Sequence, residues 1–105
     1  MYSLAIKNIK VVDGLGNPWF RADVGILGEK IAHIGRIEGG ESTEVIDGKG
    51  MVLAPGFIDM HSHSELIFLS ERQPELIEGR VRQGITTEVM GNCGISISPI
   101  RDEIK

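Results

Sequence analysis

Two histidines and one cysteine carry most of the chemistry this sequence can do. His61 and His63 stand two apart in the run Ala-Pro-Gly-Phe-Ile-Asp-Met-His-Ser-His over 54–63, and Cys93 follows in Gly-Asn-Cys-Gly over 91–94. Side chains alternate faces along a strand, so residues two apart at a strand's end point the same way, with Cα atoms about 6.5–7 Å apart. Two imidazoles at that spacing can converge on one cation. Neutral imidazole is the commonest nitrogen ligand for zinc, and a metal-bound thiol is fully deprotonated. The set His61, His63 and Cys93 therefore reads as part of a metal site.

Each member also has a plainer reading. His-x-His alone fits surface polarity, and a lone cysteine is most often a small buried hydrophobe. Position favours ligation, because the histidines close an apolar segment and glycines flank the cysteine. Asp59 shares the face of His61 and His63, and either orients an imidazole or bonds backbone. Glu65 reads as solvated, and Glu88, in an apolar strand, needs a partner the sequence does not name. His33 lies far from the cluster and reads as a structural or surface residue. Trp19 and Phe20 read as packing in the β-rich part.

The elements that must position these residues come in two textures. Residues 1–50 read as β-rich: strands around Leu4, Ile6 and Val11-Val12, then 22–27, 31–35 and 44–47, separated by glycine-bearing turns at 13–18, 28–30 and 48–50. Over 51–61 the pattern becomes nearly continuous apolar, as in a strand buried on both faces of a parallel sheet. A helix follows, with Pro74 in its first turn, Leu76, Ile77 and Val81 toward a sheet, and Gly84 at its C-terminal end. Residues 85–90 are strand-like and run into the cysteine motif. Strand, helix, strand is a βαβ unit, and its two parallel strands put both motifs at one C-terminal rim, where such sheets bind ligands.

The chain has 105 residues, 41% hydrophobic and 25% charged, with a formal charge of −4. There is no cluster of Lys and Arg of the kind a nucleic-acid binder shows. The longest apolar run is too short to span a bilayer, and the first residues lack the apolar core of a signal peptide. One cysteine excludes an intrachain disulfide, so a cytoplasmic location is the expectation. A single βαβ unit leaves edges and an apolar face open. These residues are therefore expected to be the start of a larger enzyme, with the rest of the parent chain or a self-partner covering those edges.

The β-rich start followed by the 54–63 run resembles the amidohydrolase superfamily of metal-dependent hydrolases. Residues 83–94, Gln-Gly-Ile-Thr-Thr-Glu-Val-Met-Gly-Asn-Cys-Gly, are similar to the D-aminoacylase group, the N-acyl-D-amino-acid deacylases. The His-x-His block is shared across the superfamily, and Gly-Asn-Cys-Gly is more specific to the deacylases. The resemblance implies a mixed α/β fold: residues 1–50 as a portion of a composite β-sandwich, and 51–105 as the first βαβ unit of an incomplete TIM-like (β/α)8 barrel.

It implies further that His61 and His63 ligate one zinc, and that Cys93 stands where many superfamily members carry a carboxylated lysine and can bridge two metal positions. The catalytic acid/base aspartate and further histidine ligands are expected beyond residue 105. The implied reaction is zinc-dependent hydrolysis of the amide in a small-molecule N-acyl-D-amino acid, with these residues inactive by themselves. Two alternatives are a dihydroorotase- or hydantoinase-like cyclic amidohydrolase, against which Gly-Asn-Cys-Gly argues, and a non-catalytic stand-alone β module.

Overall fold

The computed structural model describes residues 1–96 and divides the chain into two compact units, which meet in sequence at Pro55 and Gly56. The remainder of the expected second domain, 97–105, lies outside the described residues.

The first unit is one five-stranded mixed sheet. Its strands are β1 (Tyr2–Val11), β2 (Phe20–Leu27), β3 (Lys30–Gly35), β4 (Ser42–Asp47) and β5 (Val52–Leu53). The order is β3-β2-β1-β4, and β5 also pairs with β1. β1 runs antiparallel to β2 but parallel to both β4 and β5. Ile9, Val11 and Val24 form the core, with Ile6, Ala22, Ile26 and Leu53 packed against it. A bulge interrupts β1 at Asn8, whose φ is 58°. The Asp23 carboxylate spans this irregularity, accepting from the backbone N–H of Asn8 at 2.9 Å and of Ile37 at 3.0 Å. Burial pushes that carboxyl up, but the two N–H bonds, with Lys7 and Arg36 nearby, outweigh it and hold it below the usual aspartate range.

Two expectations need correction here. The apolar run 51–61 is not one strand: Val52 and Leu53 join β1, and Ala54-Pro55-Gly56 breaks the chain before β6 (Phe57–Asp59). Proline cannot donate into a ladder, so the strand stops there. Trp19 and Phe20 are exposed rather than packed, and Lys10 and Arg21 lie over the Trp19 ring at 5.0 and 5.8 Å.

The second unit holds β6, a 3-10 turn over Ser64–Leu69, the helix α1 (Gln73–Arg82) and β7 (Ile85–Glu88). Pro74 sits in the first turn of α1, and Gly84 follows its end with φ 86°, a left-handed conformation that glycine adopts freely. β6 and β7 pair in parallel. Gly56 leads into β6 at a point where a Cβ would overlap Oγ1 and Cγ2 of Thr86, so only glycine fits against β7. Within the described residues, Phe57 and Ile58 of β6 are exposed. Glu88 finds its partner in Arg80 at 3.0 Å. No helix among the described residues is long and apolar enough to cross a membrane.

Candidate metal centre

The chain leaves β6 at Asp59 and β7 at Glu88, and backbone bonds continue past both ends. Val89 N–H donates to Asp59 O at 2.8 Å, and Ser62 N–H donates to Val89 O at 3.0 Å. His61 and His63 thus lie beyond the strand rather than on its pleat, which corrects the strand-end geometry expected for them. Alternation survives locally: Ser62 is buried between a more exposed His61 and a half-buried His63. Ser62 Oγ donates to Ser64 Oγ at 2.7 Å and accepts the Ser64 N–H at 3.0 Å, which keeps the serine turned inward. The two imidazoles meet edge to face, with ring centroids 5.3 Å apart.

Cys93 comes to them from the turn after β7. Gly91, Cys93 and Gly94 all have positive φ, at 79°, 59° and 71°. For cysteine this left-handed backbone costs about 1–2 kcal/mol, so the thiol is presented at a position where its own backbone is unfavourable. Asn92 fixes the turn by donating from Nδ2 to Val89 O at 3.0 Å and to Ser62 O at 3.2 Å. Cys93 Sγ lies 3.8 Å from His61 Nε2, and one donor atom from each of His61, His63 and Cys93 lies within 4.8 Å of the others. The three residues expected to gather do gather.

Two imidazoles and a thiolate are donors that zinc accepts, and a tetrahedral zinc sets its donors about 3.3–3.6 Å apart. The trio, with its donor atoms within 4.8 Å of one another, stands wider than that spacing. The residues fit the ion.

The neighbouring carboxylates take different roles. Asp59 Oδ1 accepts the backbone N–H of His61 at 3.1 Å, so of its two readings the structure favours backbone bonding. Glu65 is not solvated: it is 1% exposed, and its Oε1 lies 2.9 Å from His63 Nδ1. That hydrogen bond holds its carboxyl below the ordinary glutamate value, against the burial that pushes it up. The expectation failed because Glu65 lies in the 3-10 turn, which folds it back under His63. Asn92 and Ser62 had no signal beyond adjacency to the histidines and the cysteine. His33 lies in the first unit, stacked on Tyr2 with centroids 6.2 Å apart.

No protein-family model matches the chain. An N-acyl-D-glutamate deacylase of Alcaligenes xylosoxydans xylosoxydans is 49% identical over 96 residues, covering 91% of this chain and 19% of its own length. A crystal structure of the N-acyl-D-glutamate deacylase of Bordetella bronchiseptica, complexed with zinc and a phosphonate mimic of the tetrahedral intermediate, matches with TM-score 0.82 and 40% identity. It covers 93% of this chain and 20% of that one. A D-aminoacylase structure concerned with its binuclear metal centre gives TM-score 0.82 and 37% identity, over 95% of this chain and 20% of that one. The chain spans about a fifth of the length of these relatives. Its homologues, in sequence and in structure, include D-aminoacylases and N-acyl-D-glutamate deacylases, and with them it belongs to the amidohydrolase family.

Proposed function

We propose that the protein carrying this chain is a zinc-dependent amidohydrolase that cleaves the amide of N-acyl-D-amino acids, with His61, His63 and Cys93 as metal ligands. The observation that carries this reading is the convergence of the three donors within 4.8 Å, from two loops, in a segment 49% identical to an N-acyl-D-glutamate deacylase. Zinc held there supplies Lewis acidity toward the scissile carbonyl and lowers the pKa of a water to about 7. The chain's own residues prepare the site. Asp59 and Ser62 fix the backbone around the histidines, and Asn92 holds the cysteine turn against the histidine loop. The proton delivered to the leaving amine comes, on this reading, from an aspartate beyond residue 105.

The parallel β6-α1-β7 unit is proposed as the opening of a (β/α)8 barrel, and the five-stranded sheet as one layer of a composite sandwich. Phe57, Ile58, Ile31 and Ile34 are exposed, in keeping with further protein covering both units. The partners on this reading are that covering segment or a self-partner and a small-molecule substrate, with no nucleic acid or membrane, in the cytoplasm.

The test is a substrate panel on the whole protein, loaded with zinc and then stripped by chelator. Zinc-dependent release of free D-amino acid from N-acyl-D-amino acids supports the reading. Opening of cyclic imides instead favours a hydantoinase-like enzyme, and no hydrolysis of either class favours a non-catalytic module. The 105 residues alone are expected to show no turnover in the same assay.

A further inference from the structure

We propose that Glu65 is a positioning residue of this centre, which fixes the tautomer and direction of His63 so that Nε2 faces the cation. The proposal rests on the metal-site reading above and deepens it.

Glu65 is the most enclosed charged side chain among the described residues, at 1% exposed. A carboxylate offers only acceptors, so at 2.9 Å from Oε1 the Nδ1 of His63 must be the donor. Nδ1 then carries the proton, and the lone pair is left on Nε2, the nitrogen free to bind a metal. Asp59 does not do this for His61, because its carboxylate accepts that residue's backbone N–H. A carboxylate thus holds the ring of His63, whereas the carboxylate beside His61 holds only that residue's main chain.

Glu65 is also a poor choice for stability alone. Its Oε2 is buried and has no hydrogen-bond partner among the described residues. A buried polar atom without a partner costs free energy that an apolar side chain of similar volume would avoid. Ile67, two residues on, shows that the same turn accepts an apolar side chain in a buried position. What an aliphatic residue at 65 could not do is accept from Nδ1. Carboxylates that orient a histidine ligand in this way also raise its basicity.

The test has two parts. In the metal-free protein, two-bond proton–nitrogen correlations of the His63 ring should show Nδ1–H, and Glu65→Leu should shift the ring toward Nε2–H. A wild-type ring already in the Nε2–H form overturns the proposal with no variant needed. Zinc affinity by chelator competition should fall about 10- to 100-fold in Glu65→Leu and by less in Glu65→Gln, whose amide oxygen can still accept.

If Glu65→Leu does not fold, the wild-type tautomer and the Glu65→Gln affinity decide. Affinity within about twofold of wild type in Glu65→Leu, while Cys93→Gly loses zinc, overturns the positioning role and leaves the metal-site reading standing. If the wild type binds no zinc, that reading falls and this proposal falls with it.

Discussion

Asn92 Nδ2 donates to the main-chain carbonyl of Ser62 at 3.2 Å, across 30 residues of sequence. Ser62 lies between His61 and His63, and Asn92 precedes Cys93, so this bond, beside that from Ser62 N–H to Val89 O, joins the two loops that carry the candidate ligands. Asn92→Ala is expected to lower stability by about 0.5–1.5 kcal/mol for each hydrogen bond lost. It should also loosen zinc, which chelator competition can follow beside a thermal melt. Unchanged zinc retention would separate the loop tie from the metal centre.

The left-handed backbone at Cys93 offers a way to remove the thiol without adding strain. Cys93→Gly keeps φ near 59° at no steric cost, so the fold should be as stable as wild type or up to about 1 kcal/mol more so. Bound zinc and hydrolysis should nevertheless fall together, by more than the roughly 10- to 100-fold typical of groups that only orient a ligand. Retention of full zinc stoichiometry and rate in this variant would remove Cys93 from the ligand set.

Two glycines of the second unit should respond to alanine in opposite directions. At Gly56 the new methyl would overlap the Thr86 side chain, so Gly56→Ala should destabilise by about 1–3 kcal/mol. At Gly79, inside α1, the methyl meets nothing within 4 Å, and Gly79→Ala should stabilise by about 0.5–1 kcal/mol. Denaturant titration of both variants checks the pair, and a Gly56→Ala variant as stable as wild type would refute the close approach of Gly56 to β7.

Asp23 gives the first unit a dependence on pH. Its carboxyl is held below the ordinary value of 3.8, so it contributes stability above that value and loses it as pH falls from 3.8 through the lowered folded value. Asp23→Asn should therefore cost about 1–3 kcal/mol at neutral pH, with the gap to wild type narrowing below pH 3.8. Unfolding curves at pH 7 and under acid conditions measure this, and a gap that widens in acid would contradict it.

The clustering of His61, His63 and Cys93 was legible in the sequence because its signals are local: a histidine pair after Pro-Gly, and glycines around a cysteine. The helix was legible from Pro74 and Gly84, and the early strands from their turns. What escaped the reading depends on pairing partners distant in the chain. Nothing in the apolar texture of 51–61 says that Val52 pairs with Lys10 while Phe57 pairs with Ile85. Glu65 escaped for a related reason. Its burial follows from a 3-10 turn of six residues, Ser64–Leu69, whose composition resembles an exposed connection.

The parallel pairing of β1 with both β4 and β5 has a bearing on the order in which the first unit assembles. Strand β1 meets β2 and β2 meets β3 across short separations, so those antiparallel pairs can close while the chain is still emerging. The other edge of β1 must wait for residues 42–53, because its partners there are roughly 40 positions downstream and loop closure precedes their contacts. The pairings that need the longest loops closed are thus those with β4 and β5, and they fall on the first strand of the protein, which lies in the middle of the finished sheet.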